Sequence, residues 1–187
     1  MASSPVSKLT EEQYLAIERA AEFKSEFLDG VMYERSGVTI RHADLAGNIL
    51  AELHGMVRGK VYGSDLRVRV SSRMYTYPDV SVVCGKLQLA DDQKDVLLNP
   101  IVIFEVLSPS TELYDRGVKL QLYRAMPSLR EYILVDQNKP RIEQYIYQDA
   151  STWALHDHQG LDAELKTDSI GASLPLRLIY DRVDLES

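Results

Sequence analysis

Residues 101–107, with the sequence IVIFEVL, form the segment that most constrains how this chain can fold. Aliphatic and aromatic residues fill it except at Glu105, and Ser108-Pro109 ends it. Such a pattern is typical of a strand that is buried on both faces. A carboxylate in that position costs several kcal/mol unless a cation, a partner or a proton neutralises it. The segment therefore predicts a central strand and a neutralising partner for Glu105.

The composition is that of a globular protein, with 45% hydrophobic and 26% charged residues among 187. This length suits one domain, which we expect over residues 10–187, after a flexible, Ser/Pro-rich N-terminus at 1–9. No segment predicts a membrane span or a secretion signal, so we expect a cytoplasmic protein. The single cysteine, Cys84, excludes an intrachain disulfide and a cysteine-rich zinc site.

The formal charge of −7 argues against a protein that coats itself in nucleic acid. It does not exclude a nuclease, because a local basic rim can oppose an acidic, metal-loaded centre. A glycoside hydrolase with two carboxylates is disfavoured, because such sites need aromatic-rich clefts and only 8% of the residues are aromatic.

Hydrophobic periodicity predicts helices at about 11–24, 41–57 and 115–126, and a short helix in the last ten residues. Asp29-Gly30 lies between short apolar runs and predicts a hairpin turn. Strand-like segments precede and follow 101–107: KVYGS, LRVRVS, YPDVSVVCG, EYILVD, RIEQYIYQ and STWALHDH. We expect an α+β (α/β) fold with a mixed central sheet flanked by helices and a β-rich C-terminal extension.

A second acidic residue, Asp79, begins the apolar segment DVSVV, 26 residues before Glu105. If the two strands are neighbours, the two acids face each other, and they cannot both stay ionised in a dry place without a cation. Mg²⁺ or Mn²⁺ meets this need, since either binds through one or two carboxylates and keeps several waters. Two structural alternatives stay open: Asp79 ends a strand or caps a turn, and Glu105 pairs with Arg67, Arg69 or Lys119.

The predicted helix after Glu105 carries Asp115, Lys119 and Tyr123 on one face, because residues four apart share a face. A short crossover would return this face over the end of the Glu105 strand. The alternative is a solvated helix surface with no role in a site.

These residues also carry a resemblance to known proteins. Pro78-Asp79 and Glu105 resemble the PD-(D/E)XK nuclease signature, but Leu107 stands where that signature has lysine. Over about residues 10–150 the chain resembles the Uma family of restriction-endonuclease-like bacterial proteins. The segments that carry this likeness are FLDGVMYE, the helix with His42, YGSDLRVRV, YPDVSVVCG, FEVLSPST and YDRGVKLQLYRAMPSLREYILVD.

The resemblance implies a restriction-endonuclease-like core in the order α-β-β-β-α-β. It implies that the catalytic lysine has moved to the next helix as Lys119, and that Glu26 is a helix-borne acid of the metal site. Asp79, Glu105 and Glu26 would then hold Mg²⁺ or Mn²⁺, and Asp115 and Tyr123 would support Lys119. The family's recurring histidine and aspartate fall on His42 and Asp65.

We therefore predict a metal-dependent endonuclease acting on nucleic acid, expected to be DNA, with Asp79, Glu105 and Lys119 as its catalytic residues. A homodimer is also expected, by analogy with nucleases that cut both strands. The alternative is a catalytically inert nuclease-fold module that binds or regulates.

Other conspicuous residues have structural interpretations. Cys84 is expected in the core, and Trp153 is expected to pack under the C-terminal strands. His156 and His158 indicate an exposed sheet edge rather than a metal site. Arg67 and Arg69 alternate along one strand, where they either contact phosphate or lie on a protein surface.

Overall fold

The computed structural model describes residues 8–35 and 37–185. Its helices are α1 (Glu11–Ala20), α2 (Ile40–Met56), α3 (Glu112–Tyr114), α4 (Leu120–Arg124) and α5 (Leu176–Ile179), with a π-helical segment, Asp115–Lys119, joining α3 to α4. Its strands are β1 (Ser25–Leu28), β2 (Val31–Glu34), β3 (Lys60–Gly63), β4 (Arg67–Ser71), β5 (Met74–Thr76), β6 (Val80–Val83), β7 (Val96–Leu97), β8 (Val102–Leu107), β9 (Glu131–Asp136), β10 (Arg141–Asp149), β11 (Thr152–Gln159), β12 (Glu164–Thr167) and β13 (Ala172–Pro175).

The predicted mixed sheet is confirmed as a six-stranded sheet in the order β11-β10-β9-β8-β6-β3. Strands β8 and β9 are parallel, and the other neighbours in this sheet are antiparallel. A five-stranded sheet, β2-β1-β5-β4-β7, and the hairpin β12-β13 complete the α+β architecture. None of the described helices has the length and apolar character that crossing a bilayer would need.

Strand β8 is the central strand that the sequence predicted, and all six of its residues are buried. Alternation along a strand sends Phe104 to a core with Ile49 of α2. It sends Ile103 to a second core, which includes Tyr123 of α4. Glu105 alternates with Phe104, so its carboxylate faces the α4 side of the sheet.

The predicted start of the first helix and both predicted ends of the second are confirmed within one residue. A capping box at Thr10 and Gln13 starts α1, and α2 lies within one residue of its predicted bounds. The third predicted helix starts three residues early and contains the π-helical turn. The C-terminal helix, α5, starts before the last ten residues, in which it was predicted.

The predicted end of the first helix, at about residue 24, is wrong, and so is the helix position that the family resemblance implied for Glu26, which lies on β1. Ala21 is already extended, residues 25–28 pair with β2, and residues 27 and 28 also pair with β5 on the other side. The backbone amides and carbonyls of this segment thus find partners in a sheet rather than in a longer helix. The turn prediction is confirmed, since Asp29 and Gly30 join β1 to β2 with φ values of 51° and 90°.

The predicted burial of Cys84 is also wrong. Strand β6 ends at Val83, and Cys84 lies exposed before the turn at Gly85. Trp153 is half-buried and packs edge-on against Tyr147, as expected for a packing residue. The predicted flexible N-terminus falls mostly on residues 1–7, which lie outside the described residues.

Two glycines give a matched test of how closely the start of β3 packs against the end of β6. A Cβ on Gly59 would collide with the carbonyl oxygen of Val83, whereas a Cβ on Gly55, in α2, meets no atom within 4 Å. We expect Gly59→Ala to lower the free energy of unfolding by about 1–3 kcal/mol because strand pairing must shift. Gly55→Ala should raise it by about 0.5–1 kcal/mol through helix propensity. Urea denaturation of both variants measures the two signs, and a stabilised Gly59→Ala would contradict this packing.

Candidate active site

Five ionisable side chains from four parts of the fold converge on the end of β8. Glu26 comes from β1, Asp79 from the residue before β6, Glu105 from β8, and Asp115 and Lys119 from the π-helical segment. Pairing of β6 with β8 aligns Val80 with Phe104, which brings Asp79 beside the strand that carries Glu105. We call these five residues the acid–lysine cluster.

Lys119 lies at the centre of this cluster and is 4% exposed. Its Nζ is 3.0 Å from Glu105 Oε1, 3.2 Å from Asp115 Oδ1 and 3.4 Å from Glu26 Oε1. Burial alone would lower the pKa of Lys119, but the three carboxylates, Glu105 first, outweigh it and raise that pKa well above its usual value. The alternative in which Asp115, Lys119 and Tyr123 form a solvated helix surface is therefore excluded.

Burial disfavours the ionised form of Glu105. Its burial raises its pKa to about 8; Lys119 opposes the rise, while Asp79, Asp115 and Glu26 add to it. The hydroxyl of Tyr123 donates a hydrogen bond of 3.0 Å to the same oxygen, Oε1, that Lys119 contacts. The carboxylates of Glu26, Glu105 and Asp115 thus share one ammonium, and Asp79 adds a fourth negative charge close to Glu105.

Asp79 is held by three contacts that fix its orientation. Its Oδ2 accepts a 2.8 Å hydrogen bond from the Val106 amide, and its Oδ1 lies 3.1 Å from His42 Nε2 and 3.5 Å from Arg35 Nη2. Burial would raise the pKa of Asp79, but these partners, His42 first, lower it. His42 reaches Asp79 from the first turn of α2, whose N-cap is Thr39.

The π-helical segment explains how Asp115 and Lys119 face one point. Both are buried, and both point to the cluster although the chain here carries Gly117 and exposed Val118 between them. Single π turns inside α-helices recur at functional sites, because the wider turn shifts which residues face inward. Burial raises the pKa of Asp115. Among the described residues none donates a well-oriented hydrogen bond to its Oδ1, despite the contact of this atom with Lys119.

The cluster forms the floor of an open cleft of about 580 Å³. Tyr33, Arg35 and His42 line it from the β1–β2 hairpin and α2, and Ser108, Thr111 and Tyr114 line it from the segment that follows β8. The hydroxyl of Ser108 shares hydrogen bonds with the hydroxyls of Ser110 (3.0 Å) and Thr111 (2.9 Å), which hold this segment together. Small ligands therefore have a path to the carboxylates.

The donor set suits a hard divalent cation. The cluster holds four carboxylates and one ammonium, and no described residue donates a well-oriented hydrogen bond to Asp115 Oδ1. Mg²⁺ needs only one or two carboxylates besides waters and phosphate oxygens. Among the described residues no three acidic, histidine or cysteine side chains are arranged as a complete metal cage. The fit is thus to an ion that water and substrate help to hold.

Seven of the eight site residues predicted from sequence belong to the acid–lysine cluster or contact it directly. The structure brings together Glu26, His42, Asp79, Glu105, Asp115, Lys119 and Tyr123. Asp65 lies outside this group, because its side chain is 97% exposed and pairs with Lys24. Arg35 was not anticipated; its only sequence signal was its position two residues after Tyr33 on the strand that leaves the hairpin.

The other charged candidates lie elsewhere. Arg67 is buried and donates a 2.9 Å hydrogen bond to the hydroxyl of Tyr77, and Arg69 pairs with Glu11 at 2.7 Å. Both are structural, so neither is presented to a phosphate. His158 Nε2 lies 3.0 Å from Gln144 Oε1 on the edge formed by β11, consistent with the edge interpretation.

Known proteins resemble this chain along most of its length. Residues 11–177 match the model of the family Uma2, described as "Putative restriction endonuclease". An uncharacterized protein of Synechocystis sp. is 35% identical over 182 residues, covering 95% of this chain and 94% of that protein. A second uncharacterized Synechocystis protein is 34% identical over 162 residues, covering 84% and 92%.

A solved structure shares the fold. The crystal structure of a "putative nuclease belonging to DUF820" from Anabaena variabilis superposes with a TM-score of 0.76, covering 92% of this chain and 97% of that one. Its sequence identity is 16%, so this likeness bears on the fold alone.

Proposed function

This chain belongs to the Uma2 family of restriction-endonuclease-like proteins, and from that premise we propose that it is a divalent-metal-dependent endonuclease that hydrolyses phosphodiester bonds, with DNA as its substrate. The observation that carries the proposal is the acid–lysine cluster at the floor of an open cleft. Buried acids that repel one another are costly to keep, and such clusters concentrate at functional sites.

Asp79 and Glu105, with Glu26, are the residues that would hold Mg²⁺ or Mn²⁺. The bound ion would polarise a phosphoryl oxygen and activate a water. Val106 and His42 keep the Asp79 carboxylate oriented. The cluster's negative charge makes it a cation site before any substrate arrives.

Lys119 is the proposed third catalytic residue. Its raised pKa keeps it an ammonium, so it donates hydrogen bonds toward a water or a phosphoryl oxygen and offsets the charge that develops there. Asp115 and Tyr123 are positioning residues, since they contact Lys119 and Glu105. A lysine on a helix serves this role because the place of its ammonium matters, not the place of its Cα.

A second candidate is a nuclease-fold module that binds without turnover, which the net charge of −7 favours.

Three further expectations from the sequence stay predictions: a single domain over 10–187, a homodimer and a cytoplasmic location.

Cleavage assays test the proposal. We expect the wild type to cut DNA with Mg²⁺ or Mn²⁺ and not with EDTA, and expect Asp79→Asn and Lys119→Met to lose about 100-fold or more of the rate. Asp65→Asn is the matched control, because Asp65 is an acid outside the cluster. Equal rates in all four proteins would contradict the assignment.

Calorimetry resolves the case in which no substrate is cut. Wild type should bind Mn²⁺ and Asp79→Asn should bind it more weakly. A protein that binds no divalent ion and cuts nothing would instead be the inert module.

A further inference from the structure

One wall of the cleft presents an aromatic ring and a guanidinium side by side. Tyr33, on β2, is 53% exposed, and Arg35 follows it by two residues. The Arg35 amide donates to the Lys24 carbonyl, so the extended pairing continues past the end of β2. Residues two apart on an extended chain share a face and are separated by about 7 Å.

The register of the hairpin shows which way Tyr33 faces. Tyr33 pairs directly with Glu26 of β1, and paired residues place their side chains on the same face of a sheet. Glu26 contacts Lys119, so this is the face that looks onto the acid–lysine cluster. The ring of Tyr33 therefore stands beside the site rather than on an unrelated surface.

Two contacts hold Arg35 in place and leave some of its N–H donors available to a ligand. One amino group donates a 2.8 Å hydrogen bond to the Tyr77 carbonyl, and the other lies 3.5 Å from Asp79. Its side chain is 23% exposed. A guanidinium has five N–H donors, so these two contacts leave donors for a phosphate in the cleft.

The size and charge of the cleft argue against a duplex. Its volume of about 580 Å³ is that of a site for a small molecule or a nucleotide. Proteins that track a duplex neutralise many phosphates. Among the described residues that line this cleft, the lysines and arginines are only Arg35 and Lys119, and three carboxylates already surround Lys119.

Unpaired nucleotides suit the same features. Single strands are bound by stacking bases on aromatic side chains, with few phosphate contacts. Tyr33 offers such a ring, and a second tyrosine, Tyr114, also lines the cleft. A base held on Tyr33 would leave its phosphate near Arg35, beside Asp79.

We infer that the cleft binds single-stranded nucleic acid, with an unpaired base stacked on Tyr33 and a backbone phosphate held by Arg35. This inference rests on the proposed function and deepens it, because it names the substrate class of that same site.

Fluorescence anisotropy tests it without turnover. Labelled single-stranded DNA, single-stranded RNA of the same sequence, and the DNA duplex are titrated with protein in Ca²⁺, which replaces Mg²⁺ as a hard oxygen-binding cation. We expect at least one single strand to bind about tenfold or more tightly than the duplex. Comparing the Kd values of the two single strands shows whether DNA or RNA is the preferred ligand.

Substitutions locate the contact. Tyr33→Ala should raise the Kd for the single strand by roughly 5- to 100-fold, and Tyr33→Phe should leave it nearly unchanged. Phe23→Ala is the matched control, since Phe23 is also an exposed aromatic residue, at 68%, but does not line the cleft. Arg35→Met should weaken binding and flatten its salt dependence, whereas Arg177→Met, at an exposed arginine outside the cleft, should do neither.

Three results would overturn the inference: duplex bound as tightly as either single strand, Tyr33→Ala indistinguishable from Phe23→Ala, or no binding to any of the three nucleic acids. Its failure is separable from failure of the proposed function. A protein that cuts duplex DNA and ignores Tyr33 keeps the nuclease and loses the inference. One that binds single strands through Tyr33 but never cleaves keeps the inference and loses the nuclease.

Discussion

Replacing Glu105 with glutamine is expected to raise the free energy of unfolding of the metal-free protein at pH 8 by about 1–3 kcal/mol, while metal-dependent cleavage is lost. Glutamine keeps an oxygen that accepts the hydrogen bonds of Tyr123 and Lys119. It removes one of four charges that repel one another. Lys119 retains Glu26 and Asp115 as partners, so the variant leaves no isolated cation.

The same argument predicts how the free energy of unfolding of the metal-free protein changes with pH. The pKa of Glu105 is raised from 4.5 to about 8 by folding, so the folded state holds this proton more tightly than the unfolded state does. Its contribution to stability is complete below about pH 4.5 and is lost as the pH rises through about 8. Wild-type protein in EDTA should therefore lose more stability across this window than Glu105→Gln does.

Urea denaturation at several pH values, with EDTA, measures both effects. Glu131→Gln is the matched control, because Glu131 is an equally buried glutamate on the neighbouring strand, 1% exposed. Its carboxylate accepts hydrogen bonds from Gln144 and from the amide and hydroxyl of Ser169, so its loss should destabilise the fold. A Glu105→Gln protein that is less stable than wild type at pH 8 would contradict the repulsion described for the cluster.

Replacing Lys119 with methionine should have the opposite effect on stability. Lys119 is the ammonium shared by Glu26, Glu105 and Asp115, and removing one partner of a buried ionic cluster costs about 3–5 kcal/mol. Mg²⁺ should raise the free energy of unfolding of Lys119→Met by more than it raises that of the wild type, because the variant has more uncompensated negative charge to bind the ion.

Denaturation with and without Mg²⁺ tests this second prediction. Lys166→Met is the control, since Lys166 is 68% exposed and pairs with Glu164 at the surface, where an ion pair contributes little. Lys119→Met with wild-type stability in EDTA would show that the acids do not depend on the ammonium. Equal stabilisation of both proteins by Mg²⁺ would show that the ion binds elsewhere.

Most of the site was predictable from the sequence because its key residues interrupt strong local patterns. Glu105 breaks an apolar strand, Asp79 begins another, and Asp115, Lys119 and Tyr123 repeat at helical spacing. The hairpin at Asp29-Gly30 and strands β8, β9, β10 and β11 were predictable for the same reason. The family likeness then supplied Glu26 and His42 as candidates.

What the sequence missed depends on partners that are distant along the chain. Glu26 lies on a strand because β2 and β5 pair with it on both sides. Asp65 lies outside the cluster because its loop turns toward Lys24. Arg35 reaches Asp79 only because the hairpin and β6 meet in space.

The sequence by itself thus determined the elements and most of the reactive residues, including the central strand with its buried acid. Periodicity and turn chemistry act over a few residues, so they can be read without the fold. Only the tertiary structure decided that three carboxylates share Lys119, that Asp79 is oriented by His42, and that Tyr33 stands opposite Glu26. Those relations follow from strand register and from the π-helical turn, which the packing of the whole chain determines.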